Sequence, residues 1–276
     1  MPLISMGQRD DSLRSRVMER LDEDQAAEQM AAFRAQQLAE NFCFRFQLEH
    51  KPRRGRTLCY KGVMYGSQGD KGLISRFSLF PEEVGSTATT GQSPVELIVH
   101  NGVSPKVWMR RQLSRPFALI DDAALFEPVF EGVLYTPFDL QMPFVHWSNY
   151  DYEGPSRVLS RIAQCFSMYP PENSLASLNG VAAVRVAIDD AYSALLEAEV
   201  LEEGEQVRTR FTVRGLKKVQ GHYIIKEIEL KDMVSKDATT FKVNAASVGL
   251  DFDAAVFDPQ YTGEIPEISA VLFETL

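Results

Sequence analysis

The stretch Leu196–Val213, LEAEVLEEGEQVRTRFTV, decides the fold. Read as two strands joined by a four-residue EEGE loop, it sets Leu201 opposite Gln206. Glu199 then faces Arg208 and Glu197 faces Arg210 on one surface, while Val200 meets Val207 and Leu196 meets Phe211 on the other. Opposite charges outside and apolar pairs inside come from one register, as in an antiparallel pair buried on one side. The pattern propagates. A turn at Gln220-Gly221 sets Phe211 opposite Leu230, Val213 opposite Ile228 and Arg214 opposite Glu227. A return through SKDA brings Leu230 opposite Phe241 and Ile228 opposite Val243. Hairpins that agree with one another in this way predict a meander.

Alternation of the same kind runs from Pro155 nearly to Asn244 and also begins at Asn41. In FCFRFQL, Phe42, Phe44, Phe46 and Leu48 share one face, opposite Cys43, Arg45 and Gln47. RTLCYKGVMYG, GLISRFSLF, VELIVH and PKVWMRR follow as strands, with Asn101-Gly102 as a hairpin signal whose extra VSP implies a longer loop. Pairing NFCFRFQLEH with RTLCYKGVMY around KPRRG puts Leu48 opposite Leu58, Phe46 opposite Tyr60 and Cys43 opposite Val63. Cys59 then falls opposite Gln47, with Cys43 and Cys59 roughly 13 Å apart, beyond disulfide reach. With Cys165 as the third, the cysteines read as free structural thiols.

Helical signals are few. Ser12–Ala39 lacks Pro and Gly, and Ala26, Met30, Phe33 and Leu38 form one narrow apolar stripe, so a helix lies there on the core. Between Asp121 and Tyr150 two short helices open, DDAALFE capped by Asp121 or Asp122, and TPFDLQM capped by Thr136 with Pro137 in first position. Pro128 and Pro143 end them early. About ten strands with apolar inner faces and too few helices to sandwich them predict an α+β, mainly β fold. The expected form is a curved antiparallel sheet making a half-open β-barrel with a helical lid. Residues 1–23 read as a flexible or helical extension, 24–250 as a single domain with the lid near 121–150, and 251–276 as a tail that wraps the surface or caps an edge.

At 276 residues, 45% hydrophobic and 24% charged, the chain is ordinary globular material. A net charge of -9 without a basic face argues against nucleic acid. KPRRGR (Lys51–Arg56) and WMRRQLSR (ending at Arg115) are each short enough to read as a solvated turn or strand end. No transmembrane span and no secretory leader are visible, which leaves the cytoplasm if Met1 is the native start.

Catalytic patterns are missing: there is no G-x-S-x-G elbow, phosphate loop or H-E-x-x-H helix. His50, His100 and His222 sit at predicted turns, where exposure is the rule, and His146 stands apart from them. Asp189-Asp190 and Asp251/Asp253 lack further oxygen-donor spacing and read as turn residues. The expectation is therefore no enzyme, no metal and no cofactor. What stands out is the supply of large apolar side chains on the sheet and its lid: Phe42, Phe44, Phe46, Trp108, Phe126, Phe130, Phe138, Met142, Phe144 and Trp147. They either fill a solid core or line a pocket beneath a movable lid.

Several stretches resemble the lipoprotein carriers of the LolA and LolB type. GLISRFSLF followed by VELIVHNGVSPKVWM is similar to their arginine-bearing strand, Asn-Gly turn and Trp-bearing strand. TPFDLQMPFVHW, YEGPSRVLSRIAQCFSMYP and FTVRGLKKVQGHYIIKEIELKD resemble the LolA-like outer-membrane lipoprotein-sorting proteins more specifically, and the likeness runs from about Ala26 to Leu250. The resemblance implies an open barrel whose interior, lined by the ten side chains above, binds lipoprotein acyl chains or another lipid. It also implies a periplasmic setting, a chaperone-like transport role, and membrane-anchored donor and acceptor proteins. By position, Arg76 would match the carrier arginine that hydrogen-bonds the lid when closed. A structural or protein-interaction module with a filled core is the alternative, and a lipid hydrolase a more distant one.

Overall fold

The computed structural model describes residues 18–36, 38, 40–69, 72–81, 95–129 and 132–276. Strands β1 (Phe42–Lys51), β2 (Leu58–Gly69), β3 (Gly72–Pro81), β4 (Val95–His100), β5 (Lys106–Arg110) and β6 (Ala118–Leu119) form a first meander. β7 (Tyr150–Val158), β8 (Arg161–Met168), β9 (Ala183–Asp189), β10 (Leu195–Leu201), β11 (Val207–Val219), β12 (His222–Asp232) and β13 (Ala238–Val248) form a second, and β14 (Glu274–Thr275) closes the chain. β1 and β13 pair and weld the two into one antiparallel sheet ordered 6-5-4-3-2-1-13-12-11-10-9-8-7, with β14 added on β13. Among the described residues β6 and β7 do not pair, so the curved sheet stays open between them. Residues 120–129 and 132–149, between these two edges in the chain, form the cover of the concave face.

The concave face carries the main core. Alternation along β1 points Phe42, Phe44, Phe46 and Leu48 into it, each at most 5% exposed. Helix α1 (Glu23–Ala35) lies on the same core through Ala26, Met30 and Phe33, joined by Leu38 beyond its end. Asp22 starts α1 with a capping box, its carboxylate accepting from the Gln25 amide while the Gln25 side chain accepts from its own. The helix is shorter than the Ser12–Ala39 expectation, of which residues 12–17, 37 and 39 lie outside the described residues.

The strands fall where alternation places them, but several registers differ by two residues. Phe46 lies opposite Gly62 rather than Tyr60, Leu48 opposite Tyr60, and Cys43 opposite Tyr65. The reason is volume: the rings of Phe42 and Phe46 fold across Gly66 and Gly62, occupying the space a Cβ would need there. Glu199 pairs with Arg210, not Arg208, because Leu201 pairs with Val207 and a bulge follows at Val200. The connecting turn takes positive φ at Gly204 (75°) and Glu205 (61°). Phe211 and Val213 face Leu230 and Ile228 as expected, but Arg214 bulges out and reaches Glu229 at 2.6 Å instead of Glu227. Ile228 pairs with Phe241 and Leu230 with Thr239, again two residues from the expected match. A shift of two keeps every side chain on its face, so the apolar surface survives each correction.

The convex face is covered in part by the C-terminal segment. Leu250, Phe252, Val256, Phe257, Ile265 and Phe273 pack on Cys43, Val63, Tyr65 and Ile74 in a second apolar cluster. Tyr65 donates to the Pro266 carbonyl (2.8 Å), and Arg45 sits 4.2 Å over the Phe273 ring. All three cysteines are free thiols, and burial pushes Cys43 up to about 12. No described helix is long and apolar enough to cross a membrane.

Candidate ligand-binding cleft

The cover is built from short elements whose ends are written into the sequence. Asp121 caps a 3-10 turn over Asp122–Ala124 by accepting from the Ala124 amide at 3.0 Å. Helix α2 (Pro137–Gln141) starts at Thr136, whose hydroxyl accepts from the Asp139 amide (3.2 Å) while the Asp139 carboxylate accepts from the Thr136 amide (2.9 Å). Burial pushes the Asp139 carboxyl up, and the hydrogen bonds it accepts from the Thr136 hydroxyl (2.7 Å) and amide oppose the shift. Met142 ends α2 in the left-handed region at φ 47°, and Pro143 opens a 3-10 turn to His146. A Pro-broken path of this kind turns Phe138, Met142, Phe144 and Trp147 toward the sheet, all at most 7% exposed. Their rings form a cluster: Phe138 stacks on Phe126 at 4.8 Å and lies 6.3 and 6.4 Å from Phe144 and Trp147.

Polar side chains from outside the cover hold it down, among them Arg111, which donates to the Val129 carbonyl (3.1 Å), Thr239, which accepts from the Leu134 amide (3.0 Å), and the pair Arg34 and Asn101. Arg34 of α1 donates to the Val145 carbonyl (2.8 Å) and the Trp147 carbonyl (2.5 Å), with its guanidinium 5.4 Å over the Tyr150 ring. Asn101, after β4, donates through its amide nitrogen to the carbonyls of Leu140 (2.9 Å) and Gln141 (2.7 Å). Sequence reasoning missed both, although the Asn-Gly turn had already marked Asn101 as special.

Arg76 does not hold the cover. It alternates with Phe77 and Leu79, so it points to the convex side, 2% exposed, where it donates to the Val256 carbonyl at 2.9 Å and pairs with Glu96 at 3.3 Å. Arg110 pairs with the same carboxylate, and both guanidinia approach the Phe117 ring, at 5.2 Å for Arg76 and 4.6 Å for Arg110. Its anchor is the C-terminal segment. Trp108 is displaced from the concave face by the same parity: its neighbours Val107 and Met109 face the core, and Trp108 packs edge-on to His100 at 4.7 Å. Of the ten candidate lining residues, Phe42, Phe44, Phe46, Phe138, Met142, Phe144 and Trp147 are brought together in one buried cluster, with Phe126 half-buried at its rim. Phe130 lies outside the described residues.

These side chains leave little of the interior vacant. Beneath the cover a void of about 20 Å³ is walled by Phe46, Phe77, Leu97, Tyr135, Leu140 and Phe241. The Tyr135 hydroxyl, buried beside it, has no hydrogen-bond partner among the described residues. The larger space lies at the mouth, a cleft of about 500 Å³ between the β4–β5 turn, the cover and the Pro171–Ala176 segment. Val107, Ile120, Leu125, Phe138 and Trp147 give it an apolar floor, with Lys106, Asp121 and Asp122 at its rim. Among the described residues the space beneath the cover is small, and the larger one lies at its mouth.

Two polar residues weighed for chemistry in the sequence, His50 and Asp189, have structural partners. His50 is buried, contrary to its expected exposure, with Nδ1 2.9 Å from the Thr239 hydroxyl. Asp189 pairs with Arg161 at 2.5 Å and accepts from the amides of Ala191 and Tyr192, so it is a turn residue. Among the described residues no three His, Cys, Asp or Glu side chains converge as metal ligands would.

The sheet order and its cover have counterparts among solved structures. A domain described as that of an outer membrane lipoprotein-sorting protein from Vibrio parahaemolyticus superposes with TM-score 0.68 at 11% identity, covering 85% of this chain and 95% of that one. The fold is LolA-like. A DUF1329 family protein from Desulfovibrio piger is similar at TM-score 0.67 and 11% identity, over 85% of this chain and 95% of its own. A LolA superfamily protein from Nitrosomonas europaea follows at TM-score 0.58 and 10% identity, over 86% and 97%. At such identities the likeness carries the fold alone. No family model and no curated protein matches the sequence.

Proposed function

We propose that the protein is a non-enzymatic carrier that takes acyl chains of a lipoprotein or another lipid between the concave sheet and its cover, and that the described form is the closed one. The observation that carries this reading is how the cover is held. It meets the sheet through apolar side chains and is pinned by Arg34 and Asn101 through backbone carbonyls. Apolar contacts of this kind are exchangeable for an acyl chain, each buried methylene contributing about 0.8 kcal/mol. The mouth, at about 500 Å³, falls within the size range of small-ligand pockets and offers the point of entry. The LolA-like fold supports a periplasmic setting with membrane-anchored donor and acceptor proteins as partners.

Native mass spectrometry of gently purified protein, together with displacement of a hydrophobic dye by fatty acid or lipopeptide, tests the proposal. Retained lipid or stoichiometric displacement is expected. A sealed protein that takes up neither sinks it. A second reading, an interaction module with a filled core, draws on the near-complete burial of Phe42, Phe44, Phe46 and Phe138, each at most 2% exposed. It predicts saturable binding of a protein partner at the sheet with no lipid uptake.

A further inference from the structure

The two basic runs that look like unrelated turns in the sequence meet at one end of the sheet. Lys51, at the end of β1, precedes the turn holding Arg53, Arg54 and Arg56; Leu58, at the start of β2, lies opposite His50. Tyr60 pairs with Pro81 at the end of β3, Leu79 with Val95 at the start of β4, and Glu96 with Arg110 at the end of β5. Beyond Arg110 comes the exposed turn with Arg111 and Arg115. The two basic turns are therefore four strands apart on the same rim, about 19 Å along the sheet and less where it curls.

The side chains of Arg53, Arg54, Arg56, Arg111 and Arg115 are exposed, and among the described residues none of them forms an ion pair. Arg111 donates to the Val129 carbonyl and Arg115 to the Gln112 side chain, while the nearby Glu49 is taken by Lys51. Among the described residues these five cations, with the Asp237 carboxylate beside them accepting from the Arg53 amide (2.6 Å), give the rim a local field of opposite sign to the chain's net charge of -9. Between and beside them, large apolar side chains stand in solvent: Leu58 is 37% exposed, Phe80 45%, Leu113 51% and Val234 78%. An acidic protein partner would match the arginines and leave these unexplained. A bilayer surface takes both, guanidinia at phosphate level and isolated apolar side chains just below it.

We propose that this rim, formed by the β1–β2 and β5–β6 turns, docks on an anionic phospholipid surface. The acidic turn at Glu202, Glu203 and Glu205, on the same end but in the second meander, is repelled, so the β1–β6 half leans onto the membrane. Docking is independent of whether the cleft takes an acyl chain.

The test is co-sedimentation of the full chain with vesicles of phosphatidylcholine, with and without phosphatidylglycerol, at low and high salt. Binding to the anionic vesicles that falls with salt is expected. The triple variant Arg54→Ser, Arg56→Ser, Arg115→Ser should weaken it at least about tenfold, since each arginine near a charged surface contributes about fivefold. Leu113→Ser should weaken the salt-resistant part. Removing two charges from the far end of β11, Lys217→Ser with Lys218→Ser, should change nothing, and circular dichroism checks that every variant folds. Equal binding to both vesicle types, no binding to either, or equal losses in the two charge variants would overturn the proposal. Capture by a polyglutamate peptide without vesicle binding would reassign the rim to an acidic protein and overturn it too.

Discussion

Gly66 shows how one missing atom fixes a register. Its partner across the ladder is Phe42, and the Phe42 ring lies where a side chain at 66 would begin. Gly62 repeats the arrangement with Phe46, where an added Cβ would also come within 2.8 Å of the Ser78 carbonyl. Gly66→Ala should therefore destabilise the fold by about 1–3 kcal/mol through overpacking, read as a lowered urea midpoint. An unchanged midpoint would mean that the ring has room to move and that the pairing does not set the register. The alternation of residues 42–48 shows which face Phe42 takes, yet nothing in a period of two separates one register from another displaced by two. That information lies in which glycine sits under which ring, and in bulges at Val200 and Arg214 that composition does not mark. Arg76 is the opposite case: its parity against Phe77 and Leu79 was legible and excludes a role on the concave side.

Elements divide along the same line. The stripe of α1, the Thr136 cap with Pro137, and the stop at Pro143 could all be read from residue types with known local preferences, whereas the left-handed Met142 before that stop could not. The contacts that hold the cover could not, since Arg34 is separated from Val145 by 111 residues and Asn101 from Leu140 by 39. If these side chains pin the cover, Arg34→Ala and Asn101→Ala should free it while leaving the sheet intact. A hydrogen bond from a charged donor contributes about 1.5–3 kcal/mol. Uptake of a hydrophobic dye should accordingly rise at least severalfold in Arg34→Ala, and less in Asn101→Ala, at unchanged circular dichroism. Dye uptake equal to that of the wild type in both variants would show that Arg34 and Asn101 do not pin the cover.

At the scale of the whole molecule, two meanders share a central β1–β13 seam and leave a gap that the cover crosses from edge to edge. An interior packed with the chain's own aromatic side chains is what a closed carrier and a filled module have in common; only ligand distinguishes them. A carrier of this build opens by letting the cover leave while the sheet stays. Hydrogen exchange with and without a bound acyl ligand reads this directly. The amides of Leu140, Met142, Val145 and Trp147, bonded within the cover to the carbonyls of Thr136, Phe138, Met142 and Phe144, should exchange faster when ligand is present, with β1 to β3 unchanged. Ligand bound with full protection kept at these four amides, or exchange rising equally in the strands, would contradict it.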